Sequence, residues 1–184
     1  MDQLEGLEGL TEIGRGGFGV VYKATETDLN RTVAVKVLNE ASADLARKRL
    51  DRERRAMGVL SGHPNIVTIY RTGTTGNSPY LVMEFLGGGS LADRLLQGPA
   101  IPWQEAVNIG TALADAIEAS HRAGVLHRDI KPANVLLSDT GVAKLGDFGI
   151  ANVDAVSQTS GVMKATVAHA PPEVLSGREG DARS

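Results

Sequence analysis

Apolar and polar positions alternate over residues 10–24 and 31–38, which predicts two strands of an antiparallel sheet, the first with a glycine cluster inside it. From 42 to 60 the spacing becomes helical, capped by Ser42 or Asp44 and stopped before Ser61-Gly62-His63-Pro64. Two more strands are predicted at 66–72 and 79–85, joined by the turn-forming run 73–78. Gly87-Gly88-Gly89 then divides the chain. Strands and one helix precede it and helices dominate beyond it, so the expected units are 1–86 and 87–184.

The second unit opens with a short helix at 90–97. Pro102 suits the start of the next helix, and Trp103, Val107, Gly110, Ala114, Ile117 and His121 follow at steps of four, three, four, three and four. That spacing predicts one clean helical face, with Gly124 as the C-cap. Short strands at 134–137 and 142–146 bracket the turn 138–141, and from 151 onward the chain reads as a long loop.

Composition narrows the classes. The 184 residues are 42% hydrophobic and 22% charged, enough to bury a core. With 19 basic and 22 acidic side chains the net charge is −3, which argues against a dedicated nucleic-acid binder. Cysteine is absent, so disulfides, thiolate zinc sites and Cys nucleophiles are excluded. The acidic N-terminus lacks the pattern of a signal peptide, and no run nears the roughly 18 apolar residues of a membrane span. A cytoplasmic chain without a membrane segment is expected.

Four constellations carry chemistry. Gly14-Arg15-Gly16-Gly17-Phe18-Gly19 would let backbone amides approach phosphates without a Cβ in the way, although a plain β-turn explains the glycines equally well. Val20-Val21-Tyr22 continues as strand, which favours a flap within a hairpin over a Rossmann turn. Strand alternation places Val33, Val35 and Val37 on one face and Ala34 and Lys36 on the other. Lys36 can reach phosphates while Ala34 leaves room for a flat ring; taken alone, Lys36 reads as a snorkelling strand lysine.

Leu50, Glu53, Met57 and Leu60 form one helical stripe, and an inward carboxylate at Glu53 needs a cation, for which Lys36 is the candidate. The basic run from Arg47 to Arg55 is interleaved with Asp51 and Glu53 and reads as a solvated face, with docking of a phosphorylated segment as the alternative. The fourth constellation is His127-Arg128-Asp129-Ile130-Lys131-Pro132-Ala133-Asn134, followed thirteen residues later by Asp147-Phe148-Gly149. Asn134 and Asp147 are oxygen ligands that suit Mg²⁺. Asp129 is then left to accept a proton from an attacking hydroxyl, and Lys131 to neutralise charge on a phosphoryl group.

In this order the motifs resemble those of eukaryotic-type protein kinases. Gly62-His63-Pro64-Asn65-Ile66-Val67, the stretch 81–91 and Ala168-His169-Ala170-Pro171-Pro172-Glu173 are similar to bacterial, especially actinobacterial, Ser/Thr kinases. In particular they resemble the kinase domain that such bacteria attach to a large transcription-regulator-like C-terminal region. The resemblance implies an α+β, two-lobed fold: a kinase N-lobe at 1–86, with an antiparallel sheet and one helix, and part of a mainly helical C-lobe at 87–184.

It also implies ATP and Mg²⁺ as cofactors. The loop Gly14, Arg15, Gly16, Gly17, Phe18 and Gly19 should cover the phosphates, and Lys36 should bind them and pair with Glu53. Val21, Ala34 and Leu136 should sandwich the adenine, with Met83 as gatekeeper before the hinge Glu84-Phe85-Leu86. Met57, His127 and Phe148 should stack as a spine. Asp129 and Lys131 should be catalytic, and Asn134 and Asp147 the metal ligands. Ser157, Thr159 and Ser160 are the candidate phosphosites, and Thr166 reads as structural.

His169 and Pro171 depart from the family's usual Tyr and Ala. The chain also stops at Ser184, before a helix that underpins the family's large lobe, so a truncated kinase domain is expected. The implied activity is transfer of the ATP γ-phosphoryl group to protein Ser or Thr hydroxyls, with autophosphorylation in the activation segment and self-association for it. The alternatives are small-molecule phosphotransfer, which Lys131 and Pro171-Pro172-Glu173 argue against, and an inactive fragment or nucleotide-binding interaction module.

Overall fold

A computed structural model of the chain describes residues 4–16, 19–39, 60–76, 78–148, 169–176, 178 and 181–182. Strands β1 (Leu7–Gly16), β2 (Gly19–Glu26), β3 (Arg31–Leu38), β4 (Ile69–Thr75) and β5 (Ser78–Glu84) form one antiparallel sheet in the order β1-β2-β3-β5-β4. β3 lies at its centre, with Val21 opposite Lys36 on one side and Met83 opposite Ala34 on the other. Leu4, Leu7, Val20, Tyr22, Ala24, Val33, Val35, Tyr80 and Val82 form the sheet's own core. Ala34 and Lys36 take the opposite face, as strand alternation requires. A Cβ at Gly19 would collide with the Val37 carbonyl, so only glycine lets β2 approach β3 this closely.

The strand limits differ from the sequence pattern at informative places. β1 begins at Leu7 because Leu7 pairs with Glu26 across the first hairpin. β4 begins at Ile69 rather than at 66, because Ile66 and Val67 leave the sheet. Ile66 makes a parallel bridge to Leu145 and is buried in a second core, with Leu60, Ile109, Ala116, Val135, Leu137, Ala143, Leu145 and Phe148.

Beyond the sheet come α1 (Leu91–Gln97), α2 (Trp103–Arg122), a 3-10 turn (Pro132–Asn134), the ribbon β6 (Val135–Leu137) and β7 (Ala143–Leu145), and α3 (Pro172–Leu175). Ser90 and Asp93 cap α1 reciprocally. α2 ends in a Schellman motif: Gly124, at φ 72°, donates to His121 O, and Val125 donates to Ser120 O.

The predicted face of α2 is corrected. Trp103 and Val107 are exposed, whereas Ile109, Ala116 and Ser120 are buried and Ala112, Leu113 and Ile117 pack with them. Both series have helical spacing, so periodicity alone cannot choose; contact with β7 does. α3 is a single turn started by Pro172, within a stretch the sequence reads as loop. The helix expected at 42–60, apart from Leu60, and the segment 149–168 lie outside the described residues. No helix among the described residues is long and apolar enough to cross a membrane.

Candidate active site

The sheet's underside and the loop 127–134 converge on Asp147. Lys36, buried on β3, donates from Nζ to Asp147 Oδ1 at 2.7 Å across 111 residues of sequence. Asp129 is 8% exposed and heavily engaged. Lys131 Nζ lies 2.7 Å from its Oδ2, and Asn134 Nδ2 donates to the same oxygen at 3.0 Å and to the Asp129 carbonyl at 2.7 Å. Its other carboxylate oxygen, Oδ1, accepts no hydrogen bond among the described residues. A buried carboxylate so held is oriented and keeps one lone-pair face for an incoming donor.

The loop is tied to the strand before Asp147 through Gly146. Gly146 N–H donates to Asn134 O at 2.9 Å, and Gly146 O lies 2.8 Å from His127 Nε2. Asp129 N–H donates to His127 Nδ1 at 3.2 Å, which makes Nδ1 the acceptor and Nε2 the protonated nitrogen. The imidazole is therefore neutral. Burial, the largest influence, holds its pKa below the usual histidine value, against an opposing pull from the Gly146 carbonyl. Phe148 packs on it edge-on, with ring centroids 4.6 Å apart.

Two residues here have left-handed backbones without being glycine: Arg128 at φ 66° and Asp147 at φ 59°. Each conformation costs roughly 1–3 kcal/mol and persists only where the surroundings over-determine it. At Asp147 those surroundings are the Lys36 ion pair and the two bonds at Gly146.

Of the expected site residues, Lys36, Met83, Asp147 and Phe148 line one cavity. Val21, Ala34, Met83 and Leu136 sit on β2, β3, β5 and β6, with Glu84 ending β5 and Leu86 just beyond it. Gly14, Arg15 and Gly16 close β1; an added Cβ at Gly14 or Gly16 would meet nothing within 4 Å among the described residues. Arg15 turns away to a bidentate pair with Glu12 on the exposed strand. Gly17, Phe18, Glu53, Met57, Ser157, Thr159, Ser160 and Thr166 lie outside the described residues.

Sequence reasoning missed Gly146, whose two hydrogen bonds join the loop to the strand. It also missed Lys144, which holds Glu84 through both carboxylate oxygens. Neither position stands out in spacing or composition; only the proximity of Gly146 to Asp147 offered a signal.

The chain matches the protein kinase domain family over residues 7–184. It is 48% identical, over 94% of its length, to serine/threonine-protein kinase PknK of Mycobacterium tuberculosis, and covers 16% of that protein. It is 41% identical, again over 94% of its length, to a probable serine/threonine-protein kinase PknB of Corynebacterium glutamicum, covering 28% of it. The chain thus spans well under a third of these relatives. A sheet whose central strand sends a lysine to Asp147, a loop that holds Asp129 with Lys131 and Asn134, and the match across nearly the whole sequence lead to one assignment: the chain belongs to the protein kinase domain family.

Proposed function

We propose that this chain is the catalytic part of a Ser/Thr protein kinase, with 1–86 as its small lobe and 87–184 as part of its large lobe. The observation that carries the reading is Asp129, fixed through one carboxylate oxygen by Lys131 and Asn134 and open at the other. In the reaction, a substrate hydroxyl gives its proton to Asp129 while its oxygen bonds to the γ-phosphorus of ATP. The bond from that phosphorus to the β,γ-bridging oxygen breaks, and ADP leaves. Lys131 offsets charge on the moving phosphoryl group, and Lys36 positions the phosphates. Adenine lies between Val21 and Ala34 above and Leu136 below, at the edge formed by Met83 to Leu86.

Protein kinases in general use ATP and Mg²⁺, and the residues here fit the ion. Asn134 spends its amide N–H groups on Asp129, which leaves the buried Oδ1 without a partner among the described residues. Asp147 Oδ2 is the second oxygen. Both are hard donors of the kind Mg²⁺ takes. When bound, the ion offsets phosphate charge; Asn134 and Asp147 would hold it. The protein substrates bear Ser or Thr, and the chain works in the cytoplasm, where ATP is supplied. Autophosphorylation falls on Ser157, Thr159 or Ser160.

The test is transfer of label from γ-labelled ATP to protein Ser and Thr, with nucleotide binding measured in parallel. The reading expects transfer by the wild type and its loss, with binding kept, in Asp129→Asn. Nucleotide binding without transfer by the wild type would instead indicate an interaction module.

A further inference from the structure

One ion pair joins the last residue of β5 to the ribbon beyond the hinge, and none of the roles above uses it. Lys144 Nζ donates to both carboxylate oxygens of Glu84, each at 2.8 Å. The two side chains are 16% and 22% exposed, shielded more than a surface pair. Glu84 is also held by Thr68, whose N–H donates to Oε2 at 3.3 Å and whose carbonyl accepts Glu84 N–H at 2.8 Å.

The strand beneath Lys144 is pinned to the same segment. Leu145 N–H donates to Asn65 O at 2.8 Å, Val67 N–H to Leu145 O at 3.0 Å, and Asn65 Nδ2 to Ala143 O at 3.1 Å. The contacts close a ring from β7 to 65–67, through Thr68 to Glu84, and back through Lys144. Among the described residues, Lys144 is the side chain of β7 that reaches the hinge.

The ring is attached to both walls of the proposed adenine slot. Leu136 pairs with Lys144 across the ribbon, and directly opposed residues project from the same face, so the lysine rises beside the floor residue. Glu84 and Met83 pair with Val33 and Ala34, so the other end of the ion pair is attached to the roof. Together with the Thr68 bonds, its length therefore sets where the hinge edge stands relative to the floor.

We infer that Lys144 is a positioning residue for nucleotide affinity, holding the hinge of this chain at the spacing that grips the adenine. The inference rests on reading the cleft as the ATP site. The backbone path from β7 through 65–67 and Thr68 reaches the Glu84 N–H; the lysine adds a second, direct tether from the ribbon to the Glu84 carboxylate.

The experiment measures, on the full chain, the affinity for a non-hydrolysable Mg-ATP analogue, the KM for ATP and the thermal midpoint. Wild type, Lys144→Met, Lys144→Arg and Glu84→Gln are compared. Lys144→Met should weaken analogue binding and raise the KM for ATP roughly fivefold to tenfold, with a smaller effect on turnover at saturating ATP. Lys144→Arg, which keeps the charge, should return affinity to within about twofold of wild type. A Lys144→Met protein that melts earlier yet binds the analogue within about twofold of wild type overturns the inference, since the pair is then structural only. If Lys144→Met does not fold, Glu84→Gln decides, because it keeps the shape and loses the charge. Roughly threefold weaker binding supports the inference and unchanged binding overturns it. A wild type that binds no nucleotide defeats the proposed function first, and the inference with it.

Discussion

Glu26 at the outer corner of the sheet and Asp129 in the loop are buried carboxylates of nearly equal exposure, 7% and 8%, with opposite fates. Glu26 spends both oxygens: Arg31 Nε lies 2.7 Å from Oε2 and Arg71 Nε 3.1 Å from Oε1. Arg71 also reaches Glu5 O at 2.9 Å, and Arg31 stacks over Tyr70, so the carboxylate clips the N-terminal segment to the sheet. Burial, the largest influence on Glu26, pushes its pKa up, but the two guanidiniums outweigh it and hold the group below its ordinary value. Asp129 has two partners on a single oxygen and keeps the other. A carboxylate that is fully spent serves stability, and one left half-spent keeps an oxygen for a further donor, as the proposed function requires.

That contrast can be broken most sharply at Asp129. Asp129→Asn keeps the shape, including an oxygen for Lys131, and removes the proposed base, so phosphotransfer should fall ~10²–10⁴-fold while the urea midpoint moves far less in proportion. Equal losses of activity and stability would erase the distinction between the two carboxylates. Glu26→Ala should do the reverse. It strands two guanidiniums that are each about one-third exposed, so the cost should be about 2 kcal/mol in urea unfolding, below the range for fully buried pairs. Phosphotransfer per folded molecule should stay within about twofold of wild type.

His127 sharpens the comparison through pH. Its folded-state pKa lies below the usual 6.5, so the unfolded chain binds more protons in the window just under 6.5. Stability from this group is full above that window and falls as pH drops through it toward the folded value. Urea midpoints between pH 5 and 7.5 should show the slope, and His127→Phe should flatten it. The smallest effect belongs to Arg122 and Glu118, an i,i+4 pair on α2 with a 2.6 Å bond. Both side chains are well exposed, so Arg122→Ala should cost less than about 0.5 kcal/mol despite the short distance.

The sequence made the sheet legible wherever one face is buried, because Val33 and Val35 against Ala34 and Lys36 fix the register of β3. The protein kinase family was legible from the motifs, since their order is improbable by chance. It misled at α2, where two apolar series share one period, and at Ile66, whose β-branched character suits either a strand or a core plug. It was silent on Lys144, because an ion pair sixty residues apart leaves no local trace.

The burial of Ile66 has a consequence for how the chain acquires its shape. Residues 60–67 precede β4 and β5, yet Leu60 and Ile66 within them are packed with residues from 109 to 148. The two lobes are therefore interlaced in sequence rather than laid end to end, and this segment stays unfinished until the ribbon and α2 have been made. A cut at the hinge, between 86 and 87, would leave the first piece with Ile66 and Leu60 bare and the second with a hole where they belong. Separately expressed halves should behave as complementary fragments, each sticky alone, with a single cooperative melting transition regained on mixing.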